Sequence, residues 1–320
     1  MGDLPARVVV IGAGTMGARI AACLARAGIA VCATARREET LRSAAAVIRA
    51  ALTGPDSGAS PAADRVLLTT DAGAELARAD LVIETIAEDL AAKAAVLGHV
   101  AARARPDAVI TTNTSSLDLA ALAAAAGGPE RFAGLHWFNP ADLIRLVEVV
   151  PAPGTSAATV AALHGWMLGL GKAPVVLNRA TAGFVANRLQ YALIREAYAL
   201  VAAGVCGWAE ADLAVTAGLG PRWAAVGPFQ SMDLAGLDVH LAVAEALFPV
   251  LATDREPPGL LAGLVAGGHL GAKSGTGLLG DYPPERRQAL MALRDRVLRA
   301  IAGTVTRKTV TRKEASDGSE

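Results

Sequence analysis

The amino-acid sequence predicts an α/β fold: a doubly wound, mostly parallel sheet in the N-terminal part, then an all-helical C-terminal domain. Three observations carry that prediction. Short β-branched runs alternate with alanine-rich helical ones from residue 7 to residue 177, the pattern of successive strand–helix–strand units. A glycine-rich turn, Gly12-Ala13-Gly14-Thr15-Met16-Gly17, joins the first strand to the first helix. After Ala180 the strand signals stop, and helical stretches punctuated by glycine and proline take over.

In chain order, Arg7–Ile11 reads as a strand, Met16–Ala27 as a helix, Ile29–Ala35 as a second strand and Glu38–Leu52 as a second helix. Arg65–Thr70, Leu81–Ile86 and Ala108–Thr112 continue the strands, with helices over Leu90–Ala104 and Leu117–Ala126. Phe132–Trp137, Leu143–Val150 and Pro174–Leu177 extend the sheet around a helix at Ala157–Leu170. Helices then follow at Gly183–Ala203, Ala209–Ala217, Pro228–Leu247, Pro258–Ala266 and Pro284–Ile301, each bounded by helix-breaking residues. The expected organisation is a sheet domain over 1–180, a helical domain over 181–303 and a disordered polar tail over 304–320. The near-repeat Thr306-Arg307-Lys308 and Thr311-Arg312-Lys313 is too short for a solenoid.

Composition narrows the function classes. The 320 residues suffice for two domains with buried cores, at 53% hydrophobic and 19% charged. Thirty basic and thirty acidic residues cancel, which argues against the broad basic field of a nucleic-acid binder. Cys23, Cys32 and Cys206 are scattered and without metal-ligand spacing, so they read as small core residues of a reducing compartment, and no metal is expected. The opening residues run directly into a strand, and the apolar helices carry charges such as Arg195 and Glu196. A cytoplasmic protein with no membrane segment is the expectation.

Two positions invite chemistry. His136 ends one apolar run, and Glu148, twelve positions later, sits between valines in another. A buried ionised carboxylate needs a partner or changes its protonation state, and His136 is the nearest candidate in the sequence.

The Gly12–Gly17 turn follows a strand and opens a helix, the context of a dinucleotide fingerprint in a Rossmann-type domain. Its glycines allow a tight turn and close approach of a pyrophosphate, which the helix N-terminus stabilises. The end of the second strand, where an NAD-binding protein places an acid, holds Ala35, followed by Arg36 and Arg37. Loss of the acid and gain of two guanidinium groups favour NADP(H) over NAD(H). Solvated arginines ahead of a helix are the plainer account of the same residues.

Several motifs together resemble the 3-hydroxyacyl-CoA dehydrogenases. They are the fingerprint, Asn113-Thr114-Ser115-Ser116, the His136–Pro140 block, the Leu146–Val150 block, Gly183-Phe184-Val185-Ala186-Asn187-Arg188 and Gly227-Pro228-Phe229, in family order to about Tyr282. Ala182–Tyr191 and Gly218–Trp223 are locally similar to the L-gulonate 3-dehydrogenase (lambda-crystallin) branch. The resemblance implies that His136 and Glu148 form a general acid/base pair, and that Ser115 and Asn187 hydrogen-bond the reacting oxygen. It places Glu88, Lys93, Ser115, Asn139 and Lys273 on the nicotinamide-ribose side of the cofactor site. Read without it, Ser115 is a strand-to-helix turn residue, Asn187 a structural helix residue, and Glu88 and Lys93 solvated charges on a helix.

The sequence departs from the acyl-CoA pattern after the second helix. There the family carries a polar helical tail whose serine and lysine contact CoA, whereas Thr53–Ala63 is short, glycine- and proline-bearing and free of lysine. The implied activity is NADP(H)-preferring interconversion of a 3-hydroxyacyl and a 3-ketoacyl compound, CoA- or carrier-linked or a related β-keto species, in the reductive direction. Alternatives are a tailoring ketoreductase of bacterial secondary metabolism, an L-gulonate-type hydroxy-acid dehydrogenase, or a crystallin-like structural or dinucleotide-sensing protein. In this superfamily the helical domain forms a homodimer interface, for which Trp208, Trp223 and Phe229 are candidate anchors.

Overall fold

The computed structural model describes residues 4–53 and 61–304, so the 54–60 part of the lysine-free segment and the expected tail from 305 onward lie outside the described residues. The chain divides into two compact units, Met1–Arg188 and Leu189–Glu320.

The first unit is built on one eight-stranded sheet. Its strands are β1 (Arg7–Ile11), β2 (Ala30–Thr34), β3 (Val66–Thr69), β4 (Leu81–Glu84), β5 (Val109–Thr112), β6 (Phe132–Trp137), β7 (Leu146–Pro151) and β8 (Ala173–Val176). Their spatial order is β3-β2-β1-β4-β5-β6-β7-β8, parallel throughout except for the antiparallel β6–β7 pair. β4 and β5 are buried along their whole length, because helices cover both faces of a parallel sheet and leave no strand face for water. On one face, α1 (Thr15–Arg26), α2 (Glu38–Leu52) and a later helix over Ala157–Gly169 contribute Ile20, Leu24, Ile48, Leu163 and Met167 to a core that includes Trp137. Beyond the short α3 (Gly73–Leu76), α4 (Leu90–Ala101) and α5 (Leu119–Ala125) cover the other face with Leu97, Val100 and Leu122 around Phe132. Burying each such large side chain stabilises the fold by roughly 1.5–3 kcal/mol.

β1 pairs with β2 on one side and β4 on the other. The chain order reverses there, and the crevice beyond the carboxyl ends of the strands at such a reversal is where ligands bind in open α/β sheets.

Several boundaries differ from the sequence expectation for identifiable reasons. The expected strand Leu143–Val150 begins only at Leu146, because Leu143 and Ile144 donate their N–H groups to Pro140 O, closing a turn after the cis Asn139–Pro140 bond. The helix expected from Leu117 starts at Leu119, since Asp118 caps it by accepting from Ala120 N. The Ala157–Gly169 helix, α6, is capped in the same way by Ser156. α7 (Ala186–Ala202) starts three residues later than expected, because the preceding residues form a turn.

The second unit continues α7 from Leu189 and adds α8 (Trp208–Leu213), a π-helical turn (Ala214–Leu219), α9 (Gly220–Ala225), α10 (Pro228–Ala235), α11 (Leu237–Leu247), α12 (Gly259–Ala266) and α13 (Pro284–Thr304). The single helix expected over Pro228–Leu247 is broken at Gly236, whose φ of 103° no helical residue adopts. A two-stranded hairpin, β9 (Thr276–Gly277) with β10 (Gly280–Asp281), is an addition to the expected helices. Among the described residues of this unit none is buried, and Phe229 is 80% exposed. Among the described residues no helix is long and apolar enough to cross a membrane.

Candidate active site

The fingerprint turn is held from both neighbouring strands. Gly12 and Ala13 donate their N–H groups to Thr34 O at 2.9 and 2.8 Å, and the Thr85 hydroxyl donates to Gly12 O at 2.6 Å. Gly12 has φ of 105°, and a Cβ there would lie 2.9 Å from the Thr85 carbonyl carbon. A Cβ on Gly17 would stand 2.0 Å from Gly12 O, so helix and turn touch backbone to backbone. At Gly14, by contrast, a Cβ would meet nothing within 4 Å. Gly14 opens α1, whose N-terminus has no side-chain cap and no acid in its first turn. An open approach to uncapped helix N–H groups fits a pyrophosphate.

A cavity of ≈ 390 Å³ adjoins this turn, lined by Gly14, Thr15 and, from the α2 side, Arg37, Glu39, Thr40 and Ser43. The two arginines therefore part company: Arg37 lines the cavity, while Arg36 is exposed and outside its lining. Glu39 and Ser43 escaped the sequence reading, because a charged or polar residue in the first two turns of a surface helix carries no signal of what it faces.

β6 and β7 run antiparallel with His136 and Glu148 as direct cross-strand partners. Register alone places the two side chains on one face. His136 Nδ1 and Glu148 Oε2 lie 2.8 Å apart, both buried. Glu148 Oε1 accepts the N–H groups of Val185 and Ala186 at 3.0 and 2.9 Å. Burial would raise the Glu148 carboxyl above its ordinary range, but the bonds from His136 and from the Ala186 and Val185 amides outweigh it and hold the group below. A carboxylate fixed by two amides offers Oε2 as acceptor to Nδ1–H, which leaves Nε2 of the ring for another partner. Phe138 and Phe184 press edge-on against the imidazole, with centroids 4.5 and 5.4 Å away. Phe184 has φ of 49°, a left-handed conformation that favours glycine; the turn closed by Phe184 N to Thr181 O holds it there, and the same turn presents the Val185 and Ala186 amides. These amides were invisible in the sequence, because backbone donors leave no compositional trace. Asn187 follows directly in the first turn of α7, half-buried.

A second polar network joins the ends of β4 and β5. Lys93 is buried, against the solvated reading of its helix; its Nζ lies 2.8 and 3.0 Å from the two Glu84 carboxylate oxygens, 3.1 Å from Ile86 O and 3.6 Å from Glu88 Oε2. Glu84 also accepts from Ile86 N at 2.6 Å and from the Thr112 hydroxyl at 2.6 Å. Glu88 Oε1 accepts from the Thr114 hydroxyl at 2.5 Å and from the Ser115 and Ser116 N–H groups at 2.9 and 3.2 Å. Burial opposes ionisation of Glu88, but these hydrogen bonds and the Lys93 charge lower its pKa overall. Ser115 is thus held at its backbone, with its hydroxyl 3.4 Å from Glu88 Oε1. Asn113 Oδ1 accepts from Trp137 N at 2.8 Å, tying this loop to the strand that carries His136. Asn139 is exposed at the cis Asn139–Pro140 turn.

That turn is anchored from behind. Buried Lys172 donates to Ala141 O and Ile144 O at 2.5 and 2.8 Å and stands 5.1 Å above the Trp137 ring; Arg19 of α1 pairs with Asp142 at 2.5 Å. Lys273 lies in the second unit, exposed in the turn before β9.

A doubly wound sheet with a glycine-rich turn at its reversal point, and a histidine–carboxylate pair on β6 and β7 beyond β4 and β5, defines a dinucleotide-dependent oxidoreductase. The chain belongs to the 3-hydroxyacyl-CoA dehydrogenase family: residues 7–180 match its NAD-binding domain and residues 183–280 its C-terminal domain. It is 35% identical over 298 residues to the 5-formyl-3-hydroxy-2-methylpyridine 4-carboxylate 5-dehydrogenase of Mesorhizobium japonicum, covering 92% of this chain and 96% of that one. A crystal structure of a 5-formyl-3-hydroxy-2-methylpyridine 4-carboxylic acid 5-dehydrogenase, described as an NAD+-dependent dismutase, superposes with a TM-score of 0.85 over 92% of this chain and 97% of that one at 34% identity. The (S)-3-hydroxybutyryl-CoA dehydrogenase of Ralstonia eutropha gives 0.69 over 87% and 99% at 30% identity.

Proposed function

We propose that this protein transfers a hydride between NADP(H), in preference to NAD(H), and the carbinol or carbonyl carbon of a small β-hydroxy or β-keto compound, with His136 as general acid/base. The observation that carries this reading is the 2.8 Å His136–Glu148 contact, with Glu148 held by two amides. The dinucleotide, when bound, supplies or accepts the hydride. Glu148 fixes the tautomer in which Nδ1 bears a proton, so that Nε2 takes a proton from a substrate hydroxyl or, once protonated, returns it to a carbonyl oxygen. Ser115 and Asn187 orient that oxygen, and Glu88, Lys93 and Asn139 serve the nicotinamide-ribose side. Gly12, Gly14, Thr15, Met16 and Gly17 hold the pyrophosphate.

Support for NADP(H) comes from Ala35 in place of an acid and from Arg37 lining the cavity beside the turn. NADPH use favours reduction. Glu39 lines the same cavity and can accept ribose hydroxyls, so the preference rests on Arg37 outweighing Glu39. Steady-state kcat/KM with both dinucleotides tests it: a preference for NAD(H), the cofactor named for the pyridine-carboxylate enzyme, overturns this part.

A second reading of the substrate is favoured by two observations. α2 ends at Leu52, capped at Thr53, and the pyridine-carboxylate enzyme superposes at 0.85 against 0.69 for the CoA enzyme. A CoA-free cyclic or aromatic acid is therefore the substrate class to set against a thioester. Assaying acetoacetyl-CoA beside a panel of free keto and formyl acids distinguishes the two.

We further infer a homodimer of a cytoplasmic protein. A unit whose described residues include none that is buried, with Leu213 62%, Phe229 80% and Leu234 79% exposed, lacks a sufficient core of its own and requires apolar cover. Light scattering at the mass of one chain overturns it.

A further inference from the structure

The reaction assigns no role to Glu84, the fully buried carboxylate at the carboxyl end of β4. It occupies costly ground: a buried carboxylate with a buried lysine is retained at a desolvation penalty that a well-packed apolar pair avoids. Every oxygen is satisfied. Oε1 takes Ile86 N and Lys93 Nζ, and Oε2 takes the Thr112 hydroxyl and the other side of Lys93 Nζ. Lys93 in turn reaches Glu88 at 3.6 Å, so one ammonium stands between two carboxylates and the cluster carries one negative charge in excess.

Its location gives that charge a use. Glu84 ends the strand beside β1 at the reversal of strand order, in register with Ile11 and Thr112, and its neighbour Thr85 bonds to the fingerprint turn at Gly12. A dinucleotide laid across that crevice from the α1 N-terminus extends its far half over the ends of β4 and β5. The oxidised nicotinamide ring is a cation and the reduced ring is neutral. A fixed negative charge under the ring therefore separates the affinities of the two redox forms, and low-dielectric surroundings strengthen the effect.

We propose that Glu84 sets the charge beneath the nicotinamide half of the dinucleotide site, making the protein bind the oxidised cofactor more tightly relative to the reduced one. This rests on the proposed dinucleotide chemistry but not on the identity of the substrate. Glu84 acts through Lys93 and Glu88 as a positioning residue and touches no reacting atom.

The test is calorimetric titration of the full chain with NADP+, NADPH, NAD+ and NADH, reading the ratio of the Kd of the oxidised form to that of the reduced form. Glu84→Gln removes the excess charge and should raise that ratio about ten-fold, the order expected for a unit charge acting over on the order of 10 Å at an effective dielectric of about 20. Glu84→Gln combined with Lys93→Met leaves Glu88 as the excess charge and should bring the ratio back toward wild type, even where both affinities fall. A role confined to shape predicts the reverse, because the double variant perturbs packing more. An unchanged ratio in Glu84→Gln, or a larger deviation in the double variant, overturns the proposal. Should Glu84→Gln fail to fold, Glu88→Gln cancels the cluster's excess charge by removing its other carboxylate and must shift the ratio in the same direction. Wild type binding none of the four dinucleotides would instead overturn the parent reading.

Discussion

Replacing Glu148 by glutamine removes one charge and reverses one hydrogen bond at nearly constant volume. In the native site Oε1 accepts from Val185 N and Ala186 N, while Oε2 lies 2.8 Å from His136 Nδ1. A glutamine that keeps the two amides satisfied with its carbonyl must turn its NH2 toward Nδ1. Nδ1 then becomes the acceptor, and the ring proton moves to Nε2, the atom left for the substrate oxygen. The opposite flip sets an NH2 against two backbone donors and costs more, about 1–3 kcal/mol for each buried group left unpaired. A histidine in the wrong tautomer cannot accept the hydroxyl proton, and positioned acid–base catalysis is worth roughly 10²–10⁴-fold. We expect kcat for alcohol oxidation on the best substrate of a panel to fall by about that factor, with dinucleotide affinity within about threefold of wild type. A kcat within about fivefold of wild type, in a variant with native circular dichroism, refutes the assignment of His136 as the group that handles the proton.

Other perturbations follow from the same geometry. Gly17→Ala brings a Cβ to 2.0 Å from Gly12 O, so the turn must open, and calorimetry should show dinucleotide binding lost; wild-type affinity contradicts the backbone contact. Lys172→Met leaves Ala141 O and Ile144 O without their donor and should cost roughly 2–4 kcal/mol, seen as a lower urea midpoint at unchanged m. The folded-state pKa values of Glu148 and Glu88 lie below the ordinary 4.5, so below that value the unfolded chain binds more protons than the folded one. Their stabilisation is therefore complete above the unfolded value and is lost as pH falls through the lowered folded values. Denaturant midpoints between about pH 3 and 6 should decline on the acid side, and less steeply in Glu148→Gln.

Much of the architecture was legible because local patterns and long-range structure agree. The strand–helix alternation to residue 177 and the Gly12–Gly17 turn lie where the periodicity placed them. The Asp118 cap moved a helix start from Leu117 to Leu119, whereas the Ser156-capped helix starts at Ala157 as expected. Gly236 divides a stretch that reads as one helix, since the sequence shows a glycine there but not its positive φ.

The sequence by itself determined the doubly wound sheet, the position of the glycine-rich turn after β1 and the need of a glutamate within Leu146–Val150 for a partner. These follow from residue spacing, which is local and chemical. Only the tertiary structure decided that β6 and β7 are antiparallel with His136 opposite Glu148, that the Val185 and Ala186 amides hold the carboxylate, that Arg37 rather than Arg36 lines the cavity, and that Lys93 is buried between Glu84 and Glu88. The physical reason is common to all four. Register, backbone donors and the direction of a long side chain are fixed by how the elements pack, whether the partner is nine residues away, as for Lys93 and Glu84, or thirty-seven, as for Glu148 and Val185.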